Sequence, residues 1–283
     1  MSIKKIKISF YSLFRDSEST IHDCLNTLSL IESDEKFECE YFFYENDSID
    51  NTSEIIKKWM LNKQGKFISE KLNTPKFGST LDPNRMKLLS NYRNKMKAIG
   101  DNSESDFSII FDSDVSFEKN IVEDYLKYKH LEFSMLTPNI RQNVPCKMGS
   151  NKKTSYYDSS ILFDSEWNQG MTWSNNPFYN ETDRLKFDKG EPIIVNRAFG
   201  SFVFLKTETL KQCHWNSKGE SEHFSFCDQL RNYGNIYLIP TIKPTVNIDQ
   251  KSWQHENKII ERQNFLLKNK WNRFLLKTGS INI

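Results

Sequence analysis

The chain is poor in glycine and proline, with 10 and 8 among 283 residues. That excludes collagen-like and low-complexity structure. Its five cysteines, Cys24, Cys39, Cys146, Cys213 and Cys227, form no CxxC pair, which argues against a structural zinc site. Their odd number and wide spacing argue against a disulfide framework, so buried reduced thiols are expected. No apolar run approaches the roughly 18 residues that span a bilayer. The N-terminus alternates apolar and basic residues and lacks the apolar core of a signal peptide, so a soluble or cytoplasmic chain is expected. Charge of either sign is nearly balanced, at 39 basic against 37 acidic residues and a net +2. A dedicated nucleic-acid binder carries a clearer basic excess, so no nucleic-acid partner is expected.

What the chain does hold is core-forming material. Hydrophobic residues make up 37% and aromatics 13%, with 21 Phe, which excludes intrinsic disorder. Ile6 to Tyr11 reads as a strand, Ser17 to Ile31 as a helix with an apolar stripe, and Cys39 to Tyr44 as a second, buried strand. A helix follows from Thr52 to about Asn62. This β-α-β-α order predicts a parallel sheet with right-handed crossovers. Leu81 to Ile99 is expected to be a long basic helix, Phe107 to Phe111 an apolar strand, Glu118 to Lys129 a helix and Phe133 to Leu136 a strand. Residues 139–192 lose the pattern: they are polar, irregular and rich in aromatics such as Tyr156, Trp167 and Tyr179, as functional loops are. Strands resume at Ile193 to Val195 and Ser201 to Leu205. A helix is expected from Glu222 to Tyr233 and a last strand from Ile236 to Ile239. The expected class is α/β: a mostly parallel sheet flanked by helices, with a long aromatic loop.

Four motifs carry chemistry. Asp112-Ser113-Asp114 directly follows an apolar strand, where ligands bind an open α/β sheet. Two carboxylates there suit a hard divalent cation that also touches a diphosphate. Either acid could equally cap the next helix. Tyr44-Glu45-Asn46-Asp47-Ser48-Ile49-Asp50-Asn51-Thr52 places an acid past the second strand, where it could meet a base or ribose, or simply form a turn. Arg85, Leu89 and Arg93 share a helix face. Arginines there could meet a phosphate or the first Asp of the acidic pair. Glu222 and His223 open a late helix, where a carboxylate could serve as general base or as a helix-dipole partner.

In this order the motifs resemble the GT-A glycosyltransferases. Glu45 to Thr52 resembles their acidic turn, Arg93-Asn94 their R-N helix, and Phe199-Gly200-Ser201-Phe202-Val203-Phe204 their acceptor-side glycine loop. Glu222-His223 stands where many members have Glu-Asp. The helix Arg85-Met86-Lys87-Leu88-Leu89-Ser90-Asn91-Tyr92-Arg93-Asn94-Lys95, together with Ser221-Glu222-His223, is similar to that of the fungal capsule-associated α-mannosyltransferases. The resemblance implies a GT-A (Rossmann-like) catalytic domain over residues 1–250. It implies transfer of a sugar, mannose from GDP-mannose as the first choice, from a nucleoside diphosphate sugar to a glycan hydroxyl. Asp112 and Asp114 would hold Mn²⁺ or Mg²⁺. Phe10, Tyr11, Arg15 and Glu45 would form the base pocket, and Arg85, Arg93 and Asp112 would complete donor binding. Glu222, His223 and Asp114 would be catalytic, with Glu222 as base if the reaction inverts. Asn247 and Asp249 occupy the region of a third metal ligand. A UDP-sugar transferase, a metal-dependent nucleotidyltransferase and an inactive carbohydrate-binding module remain open. Residues 251–283 read as a basic amphipathic helix with seven basic against two acidic residues. It is expected to pack on the domain, with an anionic membrane surface as the other option.

Overall fold

The structure is a computed structural model that describes residues 4–77, 82–144, 153–172, 174–218 and 220–246. The chain enters as β1 (Ile6–Phe14), α1 (Glu18–Glu32), β2 (Phe37–Asn46), α2 (Thr52–Met60) and β3 (Gly65–Glu70). Then come α3 (Pro83–Ile99), β4 (Phe107–Asp112), the short β5 (Val115–Ser116), α4 (Ile121–Leu126) and β6 (Phe133–Pro138). The stretch expected to be irregular holds β7 (Arg141–Val144), β8 (Lys153–Tyr156), β9 (Phe163–Asp164) and α5 (Glu181–Lys189). The chain continues through β10 (Ile193–Arg197), β11 (Phe202–Lys206), α6 (Thr207–Gln212), α7 (Glu222–Leu230), β12 (Asn235–Ile239) and β13 (Thr245–Val246).

One sheet has the order β3-β2-β1-β4-β11-β6-β12-β10-β9, and a smaller one the order β5-β13-β7-β8. β1 pairs in parallel with both β2 and β4, and β2 in parallel with β3, so the first half is a Rossmann-like parallel sheet. β11 is antiparallel to both β4 and β6. The second half is therefore mixed, whereas the first half has the expected parallel order. β3 had no apolar run to mark it; Gly65 to Glu70 is a half-exposed edge strand.

Packing explains the first half. In α1 the stripe Ile21, Cys24, Leu25, Leu28 and Ile31 is buried. Each fully buried Leu or Ile contributes about 1.5–3 kcal/mol against exposure. Between β1 and β2, Phe10 stacks on Tyr41 at 5.5 Å and Tyr11 packs on Phe42 at 5.1 Å. α3 starts where Asp82 caps the backbone N–H groups of Asn84 (2.8 Å) and Arg85 (3.3 Å), with Pro83 at its first turn. Cys24, Cys39, Cys213 and Cys227 are buried free thiols. Among the described residues no helix is long and apolar enough to cross a membrane. The helix expected at 251–283, with its membrane option, lies outside the described residues, as do Cys146, Trp173, Asn247 and Asp249.

Candidate active site

The site forms at the carboxyl end of β4. Asp112 ends that strand, and its backbone N–H donates to Ser201 O at 2.9 Å across to β11. The start of α1 holds the turn behind it: Ser17 Oγ donates to Ser113 Oγ at 2.9 Å, and Thr20 Oγ1 donates to Ser113 O at 3.1 Å. Asp112 and Asp114 are thereby fixed next to one another and half-buried. Burial and the Asp112 carboxylate push Asp114 up to about 7. Burial is the larger cause, and the charge of Arg93 offsets part of the rise.

Arg93, deep on α3, is the hub. Its side chain is 5% exposed; Nη2 donates to Asp112 Oδ1 at 3.0 Å and Nε to Glu222 Oε1 at 3.3 Å. Burial opposes its charge, yet Asp112 and Glu222 together hold its proton more tightly than usual. Nη1 is buried with no hydrogen-bond partner among the described residues. Its neighbour Asn94 clamps a different segment: Nδ2 donates to Trp215 O at 2.7 Å and Trp215 N donates back to Oδ1 at 2.9 Å. The Arg-Asn pair thus fastens α3 to the acids on one side and to the approach of α7 on the other.

Glu222 is buried at the start of α7. His223 stacks on Phe199 at 3.7 Å between ring centroids. Its Nε2 lies 3.4 Å from Glu222 Oε1, and its Nδ1 is buried without a partner. Burial, then the charge of Arg93, hold the imidazole well below its ordinary value, so it is neutral. Arg85 is half-buried two turns before Arg93, and its charge also acts on His223.

A carboxylate that the sequence did not single out joins this group. Asp158 accepts the Gly200 N–H at 2.9 Å through Oδ2. Burial pushes it up to about 7, with the carboxylates of Asp112 and Glu222 adding to the rise. It lies in the stretch without periodicity, so no spacing marked it. Gly200 turns at φ +66, and a Cβ there would stand 2.9 Å from Thr137 Oγ1 and 3.1 Å from Pro138 Cδ. Only glycine fits this close approach.

The expected base pocket needs correction. Phe10 and Tyr11 are 0% and 2% exposed, so neither ring faces a ligand. Glu45 is buried and spends both oxygens internally, on Ser48 N at 2.7 Å and Ser69 Oγ at 2.6 Å. Arg15 pins the 74–75 segment, donating from Nη2 to Thr74 O at 2.8 Å. Asp47 is the organiser of that turn. It accepts the backbone N–H groups of Leu72 (2.7 Å), Asn73 (2.7 Å) and Thr74 (2.9 Å). Burial alone would raise its pKa; the Thr74 hydroxyl and these backbone donors outweigh it and lower it. Of the aromatics in 139–192, Tyr156 and Phe178 are core, whereas Trp167 and Tyr179 are 47% and 62% exposed.

The acid pair fits a divalent cation in charge and hardness. Among the described residues no group of three His, Cys, Asp or Glu side chains forms a complete metal cage. Two carboxylates with substrate phosphate oxygens are the usual environment of Mg²⁺. β13 leads the chain to this point, pairing Val246 with Val115, the neighbour of Asp114.

By sequence, no family model and no curated protein matches the chain. By structure it is similar to S. aureus TarS 1-349, at TM-score 0.51 and 16% identity over 86% of this chain and 60% of that one. The same protein solved with UDP-GlcNAc superposes with the same values, and with UDP at 0.51 over 88% of this chain. The chain has the GT-A glycosyltransferase fold. It spans about 60% of the length of these solved chains. The likeness is one of fold; nothing in it singles out the fungal mannosyltransferases.

Proposed function

We propose that this chain is a metal-dependent glycosyltransferase that moves a sugar from a nucleoside diphosphate sugar to a glycan hydroxyl. The observation that carries this reading is the Arg93 bridge between Asp112 and Glu222, set beside the Asp114 carboxylate at the end of β4. Asp112 and Asp114 would hold Mn²⁺ or Mg²⁺, which when bound supplies positive charge to the departing diphosphate. Arg93 keeps Asp112 from rotating and leaves Nη1 free for an anionic partner. Glu222 is a positioning residue: it fixes Nε of Arg93, and its burial keeps it from reaching an acceptor, contrary to a role as base. His223, neutral and stacked on Phe199, walls the site. Trp167 and Tyr179, exposed on the segment between β6 and β10, offer sugar-sized aromatic surface to an acceptor.

The TarS complexes with UDP-GlcNAc and UDP put UDP-sugars first among donors, ahead of the GDP-mannose that the helix motif suggests. The test is a thermal-shift screen of UDP-GlcNAc, UDP-glucose and GDP-mannose with and without Mn²⁺, followed by nucleotide release. One donor is expected to raise the melting temperature only with Mn²⁺. Absence of any Mn²⁺-dependent shift, with no nucleotide released, would overturn the reading.

A further inference from the structure

We propose that Asp158 is the group that takes the proton from the acceptor hydroxyl. The inference rests on the glycosyltransferase reading and adds to it the identity of the base and the stereochemical course. Each other candidate is already committed. Asp112 is held by Arg93 at 3.0 Å and adjoins the expected cation site. Glu222 is 4% exposed, and its Oε1 faces both Arg93 Nε and His223 Nε2. His223 is 8% exposed, with Nε2 turned to Glu222 and Nδ1 buried, so no acceptor reaches either nitrogen.

Asp158 differs in three respects. It is half-buried, so part of it reaches the surface, whereas Glu222 and His223 are buried. Its Oδ2 is fixed by the Gly200 N–H at 2.9 Å, while Oδ1 carries no hydrogen bond among the described residues. It is also tied to the donor side by a short path. Gly200 binds Asp158, and the next residue, Ser201, accepts the Asp112 N–H at 2.9 Å. Consecutive residues of one turn therefore hold the two carboxylates, one from β4 and one from the aromatic segment. The charges of Asp112, Glu222 and Arg93 all act on Asp158.

The step balances without a further reagent. The acceptor O–H bond breaks and its proton goes to Asp158 Oδ1. The acceptor oxygen bonds to the anomeric carbon. The bond from that carbon to the diphosphate oxygen breaks, and its electron pair leaves with the nucleoside diphosphate. Asp158 then returns the proton to solvent. A base on the acceptor side implies direct displacement, hence inversion at the anomeric carbon.

The test uses the full chain with Mn²⁺ and UDP-GlcNAc, UDP-glucose or GDP-mannose, with water as the acceptor for nucleotide release. Asp158→Asn keeps an oxygen for the Gly200 N–H. It is expected to lower kcat at least about 100-fold, with the donor-induced thermal shift unchanged. Asp158→Glu is expected to recover part of the rate, and the released sugar to show inverted configuration by NMR. An Asp158→Asn variant that keeps more than about a tenth of kcat (a far smaller loss than general-base removal causes) would overturn the assignment, as would a retained configuration. If the wild-type chain neither binds nor cleaves any of these donors, the glycosyltransferase reading itself fails and the assignment falls with it.

Discussion

Arg93 Nε stands 3.3 Å from Glu222 Oε1, with 5% of each side chain exposed. α3 and α7 are far apart in sequence, and this pair joins them beside the carboxyl end of β4. Breaking a buried pair from one side costs about 3–5 kcal/mol, because the partner is left charged and dry. Arg93→Met strands both Asp112 and Glu222 and is expected to destabilise by that order in urea unfolding. Adding Glu222→Leu is expected to restore part of the loss. Strict additivity of the two changes would argue against the pairing.

Two raised carboxylates, Asp114 and Asp158, make a prediction about pH. Asp114 and Asp158 titrate near 7 in the folded chain, against roughly 3.9 for an unfolded aspartate. The folded state then binds more protons than the unfolded state between these values. Stability of the metal-free protein is expected to fall as pH rises from about 4 to 7. Asp114→Asn should flatten part of that slope. Mn²⁺ should flatten it in the wild type and not in Asp112→Asn with Asp114→Asn. Melting curves in chelator and in Mn²⁺ check this; a slope untouched by either would count against a cation at the pair.

Asp47 behaves in the opposite sense. Its pKa is lowered in the fold, so its contribution is present above the ordinary aspartate value and is lost as pH falls through the lower folded value. Asp47→Ala strands the N–H groups of Leu72, Asn73 and Thr74. A loss of about 1–3 kcal/mol is expected, with proteolytic cleavage appearing near residue 73. Unchanged melting and cleavage patterns would deny it the organising role.

Gly200→Ala tests the turn that holds Asp158 and Asp112. The new methyl would meet Thr137 Oγ1 at 2.9 Å, and alanine resists φ +66. A lower melting temperature and loss of nucleotide release are expected together. Nucleotide release at the wild-type rate would show that this turn does not position the acids.

The elements legible in the sequence were those with their own periodicity. The α1 stripe, the buried β2 and β4 and the start of α7 all follow from apolar spacing and caps. The acid pair was legible from its place after an apolar strand, and Arg93 from its helix face. Others had no such marks. β3 is half-exposed, and the short strands of the 139–192 segment take their pairing from distant partners: Arg141 pairs with Tyr156, and Asp164 with Val195. Position along β1 alone suggests a pocket role for Phe10 and Tyr11. Their side chains fill the space between sheet and helices, because aromatic residues on a central parallel strand are buried on both faces. No local pattern marks Asp158, because its hydrogen-bond partner Gly200 is 42 residues away.

β6 and β10 flank a single strand, β12, in the main sheet. The segment between them leaves the sheet at β6 and returns as β9 and then β10, two to three strand spacings away, on the order of 10–15 Å. β4, which ends in Asp112, and β11, which follows the Gly200 turn, lie on the other side of β6 from that return. On the glycosyltransferase reading, changes in this segment are expected to alter acceptor preference and to leave donor handling unchanged. A replacement segment would have to keep the pairing of Asp164 with Val195 and bring a carboxylate to the N–H of Gly200.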